Sequence, residues 1–193
     1  MSVKPKILFV GNGKSAMNLK ERINEYDVIV RFNEFKTNDY VGHRTDVHIS
    51  NDKNVFVKKF LNSESKNENL CFVKFADCPY NLILRRNMKR VQEKLKNKTE
   101  IMERYNIPKY YDSDIIKELS PVPLNLQPST GMTVLLYFIH NGFDCTIIGF
   151  DNLTKDDCDL KDIHYFEKRV ATEAHDWQQE REIVKGFPLK ILW

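Results

Sequence analysis

ILFVGNGKSA, residues 7–16, is the stretch on which the fold turns. Four apolar residues, Ile7 to Val10, run into Gly11-Asn12-Gly13-Lys14-Ser15, and a helical pattern from Ala16 to Asn24 follows with Met17, Leu19 and Ile23 as its apolar positions. A short apolar run closed by glycine reads as a buried strand, and apolar residues three to four apart read as a helix. Asp27 to Phe32 and Val47 to Ser50 add two strands, so the chain opens as a βαβ unit. The alternation predicts an α/β fold built on a mostly parallel sheet flanked by helices.

Further along, Leu70 to Phe75 reads as a strand, and a basic helix follows between Arg85 and Tyr105 with Met88, Val91, Leu95 and Met102 as a broken apolar stripe. From Ile107 to Gln127 prolines and the pair Tyr110-Tyr111 predict a loop with one short helix. Ser129 then reads as the N-cap of an apolar helix, Thr130 to His140, stopped by Asn141-Gly142. Cys145 to Gly149 is a buried strand, Tyr165 to Lys185 a final helix and Leu189 to Trp193 a last strand. No linker or repeat interrupts the pattern, so residues 1–193 read as one domain.

A chain of 193 residues has room for one sizeable core. Hydrophobic residues at 41% and charged residues at 30% are the balance of a soluble globular protein and exclude a disordered chain. Thirty Lys and Arg against 27 Asp and Glu leave a net charge of +3, which excludes the broad basic field of a nucleic-acid binder and leaves an anionic small ligand open. The four apolar residues after Lys6 are too few for a signal segment or a membrane span. Cys71, Cys78, Cys145 and Cys158 have no CxxC spacing, which predicts reduced thiols in a cytosolic protein.

A glycine turn between a first strand and a first helix can present backbone N–H groups to an anion. A nucleoside-triphosphate loop would need glycine at Leu8, five positions before Gly13-Lys14-Ser15, and is excluded. Gly11, Gly13 and Ala16 satisfy the dinucleotide pattern G-x-G-x-x-A, yet the second strand ends in Arg31-Phe32-Asn33 and not in a ribose-binding acid. Ser129-Thr130-Gly131 marks a second helix start where an anion could sit. Alternatively, Ser129 only caps the helix and Gly131 only permits close packing.

Together these segments resemble the family 29 sialyltransferases. Val10-Gly11-Asn12-Gly13, Tyr26 to Asn33 and Gly42 to His48 are similar to the large sialyl motif, and Pro128 to Met132 with Ile148 to Asp151 resemble the small one. His164-Tyr165-Phe166-Glu167 resembles the third motif, and His175 with Glu180 the last, H-x-x-x-x-E. Residues 51–127 carry no likeness. The resemblance implies a Rossmann-like variant glycosyltransferase fold, a CMP-sialic acid donor, transfer with inversion to a glycan or glycolipid, and no metal or other cofactor. One phosphodiester charge can be held by amides, N–H groups and a histidine without a magnesium ion. CMP-Kdo, another ulosonic acid donor, fits the same description. An NAD(P)-dependent oxidoreductase and a non-catalytic nucleotide-sugar binding module are the readings from other classes.

By resemblance, His175 is the general base and His164 donates to the departing phosphate; imidazole titrates near neutrality and suits both tasks. Gly11, Asn12, Gly13, Ser15, Asn33, Ser129, Thr130 and Gly131 would form the CMP cradle, with His43 and His48 structural. If His175 sits on the final helix, Glu180 falls off its face and takes a supporting role. Animal members join the large and small motifs by a disulfide, and residues 6–50 here hold no cysteine. With no anchor or stem in the sequence, the expectation is a bacterial or viral enzyme of the cytoplasm. Arg85, Arg86, Lys89, Arg90, Lys94, Lys96 and Lys98 either form a solvated face or draw the protein to an anionic membrane. Asp156, Asp157 and Asp159 read as solvated surface.

Overall fold

The computed structural model describes residues 5–33, 35–49, 84–85, 111–112, 119–157, 163–168, 170–171 and 173–193. Strands β1 (Ile7–Val10), β2 (Val28–Phe32) and β3 (Val47–Ile49) come first, and β4 (Leu84–Arg85) and β5 (Tyr111–Asp112) pair as a separate parallel ribbon. Helix α1 (Thr130–His140), β6 (Cys145–Ile148), the single turn α2 (Asp151–Thr154), α3 (Trp177–Lys185) and β7 (Lys190–Ile191) follow. The main sheet is parallel throughout, in the order β3-β2-β1-β6-β7.

Alternation along the strands explains why both faces are covered. Ile7 and Phe9 point to one side with Val28, Val30, Phe32 and Ile147, where Met132, Leu135 and Phe138 of α1 and Ile183 and Val184 of α3 pack. Leu8 and Val10 point to the other with Ile29 and Ile148, against Ala16, Leu19 and Ile23. All four residues of β1, all five of β2 and all four of β6 are buried, as the near-continuous apolar runs of a central parallel sheet require, with Arg31 of β2 and Thr146 of β6 the polar exceptions. Each fully buried Leu, Ile or Phe among them contributes about 1.5–3 kcal/mol.

The expected parallel α/β sheet is present, and β1, α1 with its Ser129 cap, and β6 fall where the sequence puts them to within a residue. Four local expectations need correction. The helix anticipated over 16–24 is two 3₁₀ segments, Lys14–Asn18 and Lys20–Glu25, because Lys20 takes a left-handed φ of 45° and gives its N–H to the Tyr40 carbonyl. The final helix begins at Trp177 and not at Tyr165: Asp176 caps it by accepting from the Gln179 N–H. Arg85 belongs to β4 and Tyr111 to β5. The strand anticipated at 70–75 and the remainder of the basic helix, with its arginines and lysines from 86 to 98, lie outside the described residues. No helix among the described residues is long and apolar enough to cross a membrane.

Candidate active site

In the order β3-β2-β1-β6-β7 the chain reverses direction across the sheet between β1 and β6, and the crevice beyond the carboxyl ends of those two strands is where open α/β sheets place ligands. Gly11 leaves β1 and Gly149 leaves β6 at that point. A Cβ on Gly11 would lie 2.2 Å from the Gly149 carbonyl oxygen, so only glycine allows the two loops to touch. Gly149 itself has a φ of 74°, the left-handed region that glycine enters without strain.

The two loops are locked by hydrogen bonds. Gly11 N–H donates to the Ile148 carbonyl at 2.8 Å and Gly13 N–H to the Gly149 carbonyl at 2.7 Å. Ser15 N–H donates to Asp151 Oδ2 at 2.8 Å, and Ser15 Oγ accepts from Gly149 N–H at 3.0 Å. These bonds correct the picture of a glycine turn with N–H groups open to an anion. Gly11, Gly13 and the buried Ser15 spend those groups inside the protein, which leaves the turn poorly suited to a dinucleotide pyrophosphate. Asp151, which the sequence reading gave no role, is the residue that anchors the turn.

What the locked turn presents is Asn12. Its side-chain amide donates to the Phe32 carbonyl at 3.3 Å, and its backbone carbonyl accepts from Tyr165 N–H at 2.9 Å. Asn33, next to Phe32, has a left-handed φ of 51° and gives its N–H to Ile49. The loop after β1, the end of β2 and the segment 163–168 therefore meet. In that segment His164 Nδ1 lies 3.0 Å from Glu167 Oε1, and a carboxylate can only accept, so Nδ1 carries the proton. The same carboxylate can offset positive charge on the ring. In the sequence Glu167 stood only as the last residue of the third motif, with no role of its own.

Arg31 supports the same corner from inside. Only 1% exposed, it donates to the carbonyls of Val41, Gly42 and Arg44, and its guanidinium lies 5.5 Å from the Phe35 ring centroid. Burial pulls its pKa down to about 10, with nearby Tyr165 opposing. Tyr165 is in turn pushed above the usual phenol range by burial, with Arg31 opposing, and its hydroxyl donates to the Lys36 carbonyl.

On the other side of the crossing, α1 starts at Ser129. Ser129 Oγ accepts from Met132 N–H at 3.2 Å and donates to Glu180 Oε2 at 2.7 Å, while Ser129 N–H donates to Glu180 Oε1 at 2.7 Å. Glu180 is 2% exposed, so the carboxylate of α3 clamps the first turn of α1 from within. Ser129 thus caps, and Gly131 packs: a Cβ there would meet Phe150 Cε1 at 2.6 Å. Thr130 is buried between them.

His175 lies just outside α3, two residues before Trp177, and this corrects its expected place on the helix. Its Nδ1 is 2.6 Å from the Gln127 carbonyl, and its ring packs edge-on to Trp177 at 5.0 Å. A carbonyl accepts, so Nδ1 donates, and in the neutral ring the lone pair sits on Nε2. Gln127 acts through its backbone, which no side-chain pattern could announce. His43 pairs with Asp39 on the surface.

A family model described as Glycosyltransferase family 29 (sialyltransferase) matches residues 8–188. Among curated proteins none matches the chain. The crystal structure of a mammalian sialyltransferase is similar with a TM-score of 0.61 at 16% identity, covering 97% of this chain and 68% of the other. A second mammalian sialyltransferase structure, in complex with Gal-beta-1-3GalNAc-ortho-nitrophenol, gives 0.57 at 15% identity, over 96% of this chain and 68% of the other. The sialyltransferase CstII from Campylobacter jejuni, in complex with the substrate analogue cytidine-5'-monophosphate, gives 0.54 at 14% identity, over all of this chain and 81% of the other. At these identities the likeness establishes the fold.

Proposed function

Because the chain belongs to glycosyltransferase family 29, the sialyltransferases, we propose that it moves sialic acid from CMP-sialic acid to a glycan hydroxyl, with inversion and without a metal. The observation that carries this reading is the hydrogen bond from His175 Nδ1 to the Gln127 carbonyl, which leaves the neutral ring with its lone pair on Nε2. The acceptor hydroxyl oxygen attacks the anomeric carbon as the bond from that carbon to the phosphate oxygen breaks. Nε2 takes the hydroxyl proton, and CMP departs from the opposite face. His164, backed by Glu167, hydrogen-bonds to the departing phosphate and balances its charge.

In this reading Asn12, Asn33 and Thr130 contact the nucleotide, whereas Gly11, Gly13, Ser15, Ser129 and Gly131 shape the loops that hold them. The comparison proteins support the assignment of ligands: one was solved with the substrate analogue cytidine-5'-monophosphate and another with Gal-beta-1-3GalNAc-ortho-nitrophenol. The whole of residues 1–193 serves as the catalytic unit in this proposal.

Release of CMP from CMP-Neu5Ac and from CMP-Kdo, over a panel of glycans with and without EDTA, tests the reading. Turnover of CMP-Neu5Ac that persists in EDTA is expected. His175→Ala is expected to lower kcat by roughly 10²–10⁴-fold, the usual contribution of a general base, with CMP still raising the melting temperature. Full activity in that variant refutes the base. Turnover of CMP-Kdo alone reassigns the donor, and CMP binding without turnover of either donor reduces the protein to a binding module.

A further inference from the structure

The bond that sets the His175 tautomer joins two pieces of chain, and each is tied to the other again a few residues away. On one side Ser129, two residues after Gln127, is held by Glu180. On the other a ring of hydrogen bonds closes around Asn125. Its side-chain amide donates to Asp176 Oδ2 at 2.9 Å, and its backbone N–H donates to Gln179 Oε1 at 2.8 Å. Gln179 Nε2 returns a bond to the Pro123 carbonyl at 2.9 Å, and Gln179 N–H donates to Asp176 Oδ1 at 3.0 Å.

Asn125 stands two residues before the acceptor carbonyl, and Asp176 stands one residue after the donor ring. The ring thus fixes both ends of the His175–Gln127 bond from outside it. The Asp176 carboxyl is held below its usual range, first by the Asn125 amide and then by the Gln179 N–H, as expected of an acceptor these donors satisfy. Within the segment 121–126 Leu124 packs against the core, whereas Pro121, Val122, Pro123, Asn125 and Leu126 are exposed, so next to Gln127 the ring of hydrogen bonds supplements that single apolar anchor.

We infer that Asn125 and Gln179 are positioning residues for the transfer reaction: they hold the Gln127 carbonyl against His175 Nδ1 and thereby keep the ring in the tautomer and orientation a base needs. The inference rests on the reading of His175 as base. Loss of the ring frees the loop to swing its carbonyl away, and the imidazole then samples the other tautomer, in which Nε2 carries the proton and cannot accept one.

The test combines kinetics with histidine ¹⁵N spectra of the full chain, in Asn125→Ala, Gln179→Ala and Gln179→Glu. Glutamate keeps the acceptor for Asn125 N–H and loses the donor to Pro123, so it should recover part of what alanine loses. In both alanine variants the His175 signals are expected to move from the pure Nδ1–H pattern to a tautomer mixture. Turnover at saturating substrate should fall roughly ten- to a hundredfold, as a displaced catalytic group costs, with KM for the donor and the melting temperature close to the parent. Unchanged His175 spectra in Asn125→Ala and Gln179→Ala overturn the inference. Altered spectra with full turnover uphold the clamp and remove His175 as the base, so the two failures are distinguishable.

Discussion

Glu180 is a carboxylate with almost no access to water, and removing it should cost the fold more than it would at any surface glutamate. Its two oxygens receive the N–H and the hydroxyl of Ser129, each at 2.7 Å, at a residue itself only 7% exposed. Glu180→Ala strands both donors, and a buried donor without an acceptor costs about 1–3 kcal/mol. Removal of the buried charge returns part of this, so a net loss of about 3 kcal/mol is expected. Glu180→Gln retains the volume and one oxygen, and trades charge-assisted bonds for neutral ones at about 1–2 kcal/mol. Urea unfolding followed by tryptophan fluorescence measures both. With a slope of about 2 kcal/mol per molar, Glu180→Ala should lower the midpoint by about 1.5 M with the slope unchanged. A double-mutant cycle with Ser129→Ala should show a coupling energy of at least about 1 kcal/mol. Strict additivity, or a Glu180→Ala midpoint equal to the parent's, refutes the clamp.

Gly11→Ala places a Cβ 2.2 Å from one backbone oxygen and 2.8 Å from a backbone carbon, so the β1 and β6 loops must part. The expected loss is about 3 kcal/mol or more, a melting point lower by about 6–12 °C in calorimetry; a shift within 2 °C contradicts the contact. Cys145 is pushed up to about 12 from 9.0, chiefly by burial and secondarily by Asp144. Its thiol should resist alkylation at pH 8 in the native protein and react in urea, as peptide mass spectrometry would show. The raised pKa also signs the pH effect: the contribution of the neutral thiol is complete below about pH 9 and is lost between 9 and about 12, as the unfolded thiol ionises and the folded one does not. Rising stability over that window in a comparison with Cys145→Ala would contradict it.

The sheet was legible because its strands announce themselves twice. ILFV is wholly apolar and VIVRF nearly so, both are short and closed by glycine or asparagine, and burial on both faces of a parallel sheet favours that pattern. Helix α1 was legible from its cap, since Ser129 and Asn141-Gly142 mark both ends by local chemistry. The segment 16–24 was misread because its apolar spacing suits an α-helix, whereas the bond from Lys20 N–H to the Tyr40 carbonyl is a tertiary event. His175 was put on a helix for the same reason: Asp176 can cap only where Gln179 and Asn125 let it, and Asn125 is 51 residues away. The candidate residues came from the resemblance, and the local roles the structure gives their backbone and hydroxyl groups did not. Whether a glycine or serine beside a crossing holds a phosphate or holds the other loop depends on the distance between β1 and β6, which sequence order conceals.

The crossing that brings β1 beside β6 also sets a clock. Ser15 meets Asp151 across 136 residues, and β1 meets β6 over a similar span. Strand β1 can pair with β2 as soon as β2 has been made, but its other edge has no neighbour until β6 follows. During that interval it is an apolar strand with an open edge, the kind of surface that chaperones hold and that aggregates when left unheld. With so much of its pairing between distant residues, the domain belongs among slow folders. The turn after β1 therefore takes its final geometry only once Gly149 and Asp151 have been made, long after the turn itself.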